Sequence, residues 1–445
     1  MYNLSDTIVA LATPPTKSAL AIIRLSGSLA FSMFSAVFSK DLTHEKERGV
    51  HLGLIQHQGE LIDQAIVIQY IQPKSFTGED LLEIIIHGSP LIAHQVIEIL
   101  ISKGARSAEP GEFSSRAYLN QKVDLVQAEA IQDVIQATTI EAKRLALLSL
   151  TGKTSEKLNP IRQRIADLLS LIEVNIDYPE YQDIEQVSKE KVIRDCEDII
   201  PQIQQFILEG EKGRLIKEGI KVAIIGQTNV GKSSLLNALI NEEKAIVTDI
   251  AGTTRDVVEA ELNLQGVVLK ILDTAGIRET DNVIEAIGIR KSIETIHQAD
   301  VVLYLMDASN PQRIENKELQ QALETKTVLD VYNKKDLVKQ TKKNQIYISA
   351  KTKSIQPLLD QLIQVLGIQE SNYHTPSFHN TRQLGSLKKV KASLVQAVED
   401  AKAGLTTDLI SSSLQLAYQE TIALLGLEGK VDLGAEIFSR FCVGK

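Results

Sequence analysis

One octapeptide constrains this chain more than any other stretch: Gly226-Gln227-Thr228-Asn229-Val230-Gly231-Lys232-Ser233, a G-x-x-x-x-G-K-S loop. The apolar run KVAII precedes it and SSLLNALI follows, so a strand enters the loop and a helix leaves it. That order builds an anion site. The glycines let the backbone wrap close to phosphates, the N–H groups point inward as a nest, and the helix adds its positive N-terminal end. Lys232 is placed for the β- and γ-phosphates and the Ser233 hydroxyl for Mg²⁺, with Asn229, Val230, Gly231 and Ser234 completing the cradle.

From about 219 to 370, short apolar runs (KVAIIG, VVLKILD, VVLYLMD, TVLDVYN, QIYIS) alternate with helical stretches, the pattern of a doubly wound α/β sheet. VVEAELNL alternates in polarity and is expected as an antiparallel edge strand. Asp273-Thr274-Ala275-Gly276 follows VVLKIL; Asp273 is a candidate Mg²⁺ partner, and Gly276 leaves room for a backbone N–H at the γ-phosphate. Asn333-Lys334-Lys335-Asp336 follows TVLDVY, where Asp336 can accept two hydrogen bonds from guanine that adenine does not offer. Ser349-Ala350-Lys351 would support the base. Between these lies Gly252-Thr253-Thr254, the usual place of a switch loop, with Thr254 a second Mg²⁺ candidate. The ordered set resembles the guanine-nucleotide domain of translation-associated GTPases. Ras-type enzymes carry a water-orienting Gln after the DTAG motif. Ile277 stands there, so catalysis falls to another group among Arg278, Glu279, Asp281, Glu285 and Arg290.

At 445 residues the chain has room for about three domains. Residues 1–120 mix β-branched runs (IVALAT, ALAIIRLS, QAIVIQYIQ, LLEIIIHG) with helical ones (SLAFSMFSAVF, PLIAHQVIEILISKG), an α+β domain. Residues 121–215 and 376–445 carry helical periodicity: one long stretch over VDLVQAEAIQDVIQATTIEAKRLALLSL, its continuation after Pro160, and further helices toward the end. The α/β segment, 216–375, is therefore expected to be inserted in a helical bundle domain. Lys plus Arg number 48 against 57 Asp plus Glu, a net charge of −9, which excludes a globally basic nucleic-acid binder and leaves room only for local patches. LKKVK at 387–391 is one candidate patch. Two cysteines, Cys196 and Cys442, cannot make a disulfide framework. No basic leader region and no run of about 18 apolar residues is present, so a cytoplasmic protein without membrane attachment is expected.

Over its whole length the chain resembles the MnmE (TrmE) family of tRNA-modifying GTPases. DTIVALATPP, TGEDLLE, PGEFSSRAYLNQKVDLVQAEAI, the GTPase motifs and the terminal FCVGK carry the likeness. The resemblance implies a three-part fold with a folate-binding, dimerising N-terminal domain. It implies K⁺-stimulated GTP hydrolysis, with K⁺ held by Asn229, Thr248, Ile250 and Thr253 in a loop that includes Asp249, Ala251 and Gly252. Glu285 would be the catalytic glutamate beside Lys232. It implies 5-formyltetrahydrofolate or methylenetetrahydrofolate at Arg24, Glu83, Lys122 and Lys445, with Arg24 and the lysines on the glutamate tail and Glu83 on the pterin. Cys442 would serve tRNA modification. The partners implied are GTP/GDP, tRNA, a second copy of the chain, and an MnmG-like FAD- and NADH-dependent protein forming a heterotetramer. The product would be an aminomethyl or carboxymethylaminomethyl group on carbon 5 of the wobble uridine. One departure stands out: the family's Gly-Arg-Gly-Gly type loop after ATPP reads Thr16-Lys17-Ser18-Ala19 here. Three rivals are a ribosome-assembly GTPase, a GTP-switch scaffold without turnover, and a folate-dependent methyltransferase.

Overall fold

The computed structural model describes residues 5–44, 47–177, 189–240, 258–272, 284–427 and 444. The chain divides into two compact units: Met1–Gln132, Ser149–Cys196 and Ala392–Lys445 form the first, and Asp133–Leu148 with Glu197–Lys391 form the second.

The first unit begins with β1 (Ile8–Leu11), β2 (Leu20–Ser26), α1 (Ala30–Ser35), β3 (Gly49–His57), β4 (Glu60–Tyr70), β5 (Leu81–His87), α2 (Pro90–Ser102), β6 (Arg106–Ser107) and α3 (Glu112–Leu119). The six strands form one sheet in the order β3-β4-β5-β2-β1-β6. Only the β1–β6 pairing is parallel. One face is packed by α1 and α2: Ile23, Leu25, Val67, Ile84 and Ile86 meet Phe34, Val96 and Leu100. The helix expected over SLAFSMFSAVF covers only its first part. Past α1 the chain turns extended, and Phe38 bridges Ile55 of β3.

The helices are α4 (Leu125–Gln136), α5 (Ile140–Leu150), α6 (Lys153–Asp177), α7 (Lys189–Glu218), α12 (Thr381–Lys402) and α13 (Thr407–Leu425). The long helix expected from VDLVQAEAI onward is two helices. Thr139 ends the first by capping the second, its hydroxyl accepting from Ala142 N at 3.1 Å. Pro160 lies inside α6, and Pro201 inside α7. Both prolines are exposed, so the carbonyl each leaves unbonded can meet water.

The second unit holds β7 (Ile220–Ile225), α8 (Lys232–Ile240), β8 (Val258–Leu264), β9 (Val267–Leu272), α9 (Ile284–Gln298), β10 (Val301–Asp307), α10 (Lys317–Glu324), β11 (Thr327–Asn333), β12 (Ile346–Tyr347) and α11 (Gln356–Leu366). Their order is β12-β11-β10-β7-β9-β8, parallel except for β8. The expected antiparallel edge strand is present, joined to β9 by a two-residue turn with Gln265 and Gly266 at φ 52° and 92°, the geometry of a tight hairpin. β10 shows why the run VVLYLM carries no alternation. Val301, Leu303 and Leu305 pack with α8 and α11 on one face, while Val302, Tyr304 and Met306 pack with α9 and α10 on the other. Each such buried aliphatic contributes about 1.5–3 kcal/mol relative to exposure. Among the described residues, no helix is long and apolar enough to cross a membrane.

Candidate nucleotide and folate sites

β7 lies between β9 and β10, the point in the sheet where a ligand crevice opens beyond the strand ends. Its last residue, Ile225, leads into the glycine loop, and α8 starts at Lys232. Ser233 and Ser234 are exposed in the first turn of α8, where unbonded N–H groups face outward. Asn229 is exposed on the rim with φ 58°. Lys232 folds across the loop, its Nζ donating to Gly226 O and Gln227 O at 2.8 Å each. Burial lowers its ammonium pKa, so an anion in the loop would be a strongly favoured partner.

Asn333 ties this loop to the base-recognition loops. Its buried amide donates from Nδ2 to Val230 O (2.9 Å) and accepts at Oδ1 from Ala350 N (3.0 Å). Gly231 has φ +96°, and a Cβ there would run into Asn333 Nδ2, so both the backbone angle and the close approach require glycine. Lys334 stands in the left-handed region and pairs with Asp307 at 2.7 Å. Asp336 is exposed and accepts from Ser349 Oγ at 2.6 Å. That bond, first among its causes, lowers the Asp336 pKa. The carboxylate is thus aimed and ionised, with lone pairs left for a ligand.

In the first unit, Arg24 on β2 lies directly opposite Glu83 on β5. The guanidinium donates to Glu83 Oε1 from Nε (3.0 Å) and Nη2 (2.8 Å), and to Gly444 O from Nη1 (3.3 Å). Tyr70 OH donates to Glu83 Oε2 (3.2 Å), and the Arg24 guanidinium sits 5.4 Å from the centre of the Phe76 ring. Burial first, then the Glu83 charge, raises the Tyr70 pKa. Lys122 donates to Pro73 O at 2.8 Å, on the loop that carries Phe76. That loop is anchored by the fully buried Arg116, which reaches Glu79 (3.0 Å), Glu112 (3.0 Å) and Asp6 O (2.8 Å). Ser18 in the altered loop donates from its N–H to Gly88 O at 3.0 Å and from its hydroxyl to Leu20 O at 2.7 Å, closing the strand end.

The model of the GTP-binding protein TrmE N-terminus matches residues 7–122, and that of the MnmE helical domain matches residues 125–442. The chain belongs to the MnmE family. Similar proteins described as "tRNA modification GTPase MnmE" include that of Lacticaseibacillus paracasei, 38% identical over 99% of this chain and 98% of that protein. Those of Carboxydothermus hydrogenoformans and Acholeplasma laidlawii are each 39% identical over 99% of this chain, covering 100% and 99% of their own lengths.

The structure brings together, of the residues expected in an MnmE-type nucleotide site, the loop Asn229–Ser234, Asn333, Lys334, Asp336 and Ser349–Lys351. Thr248, Asp249, Ile250, Ala251, Gly252, Thr253, Thr254, Asp273, Thr274, Ala275, Gly276 and Ile277 lie outside the described residues, as do Cys442, Lys445 and the side chain of Glu285, the second residue of α9. Of the residues expected to hold a folate, Arg24, Glu83 and the backbone next to Lys445 meet. Arg24 and Glu83 are paired with each other, so they offer a ligand a joint donor–acceptor edge. Tyr70 carries no local signal of this role, because its place beside Glu83 depends on strand register.

Proposed function

We propose that this chain is a GTP-hydrolysing tRNA modification protein. Acting with an MnmG-like, FAD- and NADH-dependent partner, it would add a carboxymethylaminomethyl or aminomethyl group to carbon 5 of the wobble uridine in certain tRNAs. The observation that carries the nucleotide part of this reading is the Asn333 bracket, which fixes a phosphate loop and a guanine-selective carboxylate in one rigid frame. Family membership supports the tRNA part.

In this reading Lys232 binds the β- and γ-phosphates, and Asp336 with Ser349, Ala350 and Lys351 selects guanine. Ser233, exposed on the first turn of α8, fits a Mg²⁺ ligand, and Thr254 would be the second. Asn229, exposed on the rim of the cradle, fits a K⁺ ligand with Thr248, Ile250 and Thr253. A cation there supplies fixed positive charge for the negative charge that grows between the phosphates in the transition state. Glu285 orients the attacking water in place of the Gln that Ile277 replaces. Arg24, Glu83, Lys122 and Lys445 hold the folate, which supplies the carbon; the Arg24–Glu83 pair matches the alternating donors and acceptors of a pterin edge. Cys442 serves modification and not GTP hydrolysis.

The protein would act in the cytoplasm as a homodimer, organised as 1–120, 121–215 with 376–445, and 216–375. Support for pairing comes from the sheet face opposite α1 and α2. There Leu52, Ile66, Ile85 and Ile22 line up across four adjacent strands, with Leu52 55% and Ile66 42% exposed. The test is reconstitution with the flavoprotein partner, a folate, GTP and unmodified tRNA. Modified uridine should form with the wild-type chain and disappear in Cys442→Ser with its hydrolysis rate unchanged. Full modification by that variant overturns the role of Cys442, and no modification with any folate overturns the reading.

A further inference from the structure

The acidic chain has one strongly basic edge. Between Lys334 and Lys353 there are seven lysines and a single carboxylate, Asp336, in a chain whose net charge is −9. Lys334 is paired with Asp307 and Asp336 is held by Ser349. Lys335, Lys339, Lys342, Lys343, Lys351 and Lys353 are all exposed, and among the described residues none is in a salt bridge. They sit on two loops either side of β12, the outermost strand of the α/β sheet. The loops form one body: Lys335 N donates to Ile348 O (3.0 Å), Ser349 Oγ to Asp336 (2.6 Å), and Ser349 and Ser354 exchange backbone hydrogen bonds (3.1 and 3.0 Å). Tyr332 and Tyr347 stack at 5.0 Å beneath them and share Gln345 as hydrogen-bond partner, which stiffens the edge.

The other candidate basic run is partly engaged by polar partners. In LKKVK, Lys388 pairs with Glu211 (2.9 Å) and Lys391 donates to Gln204 (2.8 Å), both on α7. The charge available to a polyanion in the second unit is therefore concentrated on the β12 edge.

We infer that the loops flanking β12 form a docking surface for the phosphate backbone of a structured RNA, the proposed tRNA substrate. The inference rests on the tRNA reading above. Six ammonium groups on a fixed frame match a periodic row of phosphates, which needs point charges and no directional fork. The location matters for function. The RNA would lie against the same loops that carry Asp336, Ser349 and Lys351, so tRNA occupancy and guanine binding would be coupled through one rigid body.

The experiment is equilibrium binding of unmodified tRNA to the full-length protein across a salt series, for wild type, Lys339→Gln/Lys342→Gln/Lys343→Gln, and the same three positions changed to Arg. None of the three belongs to the nucleotide site, so guanine-nucleotide affinity serves as the control for folding. Loss of three phosphate contacts is expected to lower the slope of log affinity against log salt by about 2–3 and to weaken binding about tenfold or more at 50 mM salt. The Arg variant should keep the slope. Wild-type-like slope and affinity in the Gln variant overturn the surface and leave the GTPase and modification readings standing. Absence of tRNA binding by the wild-type chain also overturns it, while GTP hydrolysis, measured separately, tests the nucleotide reading.

Discussion

Asn333→Ala is the substitution whose consequences follow most directly from the geometry. The side chain is 2% exposed and joins the phosphate loop at Val230 O to the base loop at Ala350 N. Truncation leaves a buried carbonyl and a buried N–H without this partner. At about 1–3 kcal/mol for each unsatisfied group, partly relieved by relaxation, the second unit should lose about 2–4 kcal/mol. If only about 1.4 kcal/mol of that falls on the bound state, nucleotide affinity drops tenfold. The assay is titration with a fluorescent GDP analogue, alongside urea unfolding with and without GDP. The bracket makes a further demand. Because Asn333 serves both loops, the variant should lose affinity for inosine and guanine nucleotides alike, whereas a defect confined to base recognition would spare the phosphate term. Binding within twofold of wild type, with unfolding shifted by less than about 0.5 kcal/mol, would refute the bracket.

Asp336→Asn should exchange guanine for xanthine preference at little cost in stability, read by competition between GTP and XTP; retained guanine preference would remove Asp336 from base recognition. Glu285→Ala should slow hydrolysis at least a hundredfold with GTP affinity nearly intact, measured by single-turnover kinetics. Asp133, buried among Lys217 (2.7 Å) and His379 (3.2 Å), controls an acid limb of stability. Burial pushes its pKa up, but the His379 hydrogen bond and the Lys217 charge outweigh that and leave it below its usual 3.8. Its contribution is therefore complete above pH about 4 and lost as pH falls through the lower folded value. Asp133→Asn should flatten the pH dependence of unfolding below pH about 4 and cost about 1–3 kcal/mol at neutral pH; an unchanged acid limb would count against it.

The nucleotide loops were legible in the sequence because their chemistry is local. A strand, a glycine loop and a helix follow one another in the chain, and NKKD and SAK each sit directly after a strand. The two-faced strands were legible for a related reason, since VVLYLM has no polar side to turn to water. What stayed hidden depends on pairing. β3 was not recognisable because Val50 and Leu52 are exposed on the sheet's open face and Gly53, close against Phe38, interrupts the run. The Arg24–Glu83 pair needs a register that neither strand states alone. The break between α4 and α5 turns on Thr139, a capping residue set in an otherwise unbroken apolar periodicity. Pro160 and Pro201 leave the helical periodicity around them readable, since an exposed helix flank accommodates the missing hydrogen bond.

The measurement that bears most directly on the account is GTP hydrolysis by the purified protein in potassium chloride and in sodium chloride at equal ionic strength. The cradle described here, with Asn229 on its rim and no glutamine after the DTAG motif, predicts much faster turnover in potassium, an increase abolished by Asn229→Ala. Equal rates in the two salts would contradict the cation-assisted mechanism, and no turnover in either would make the chain a GTP-dependent switch without catalysis.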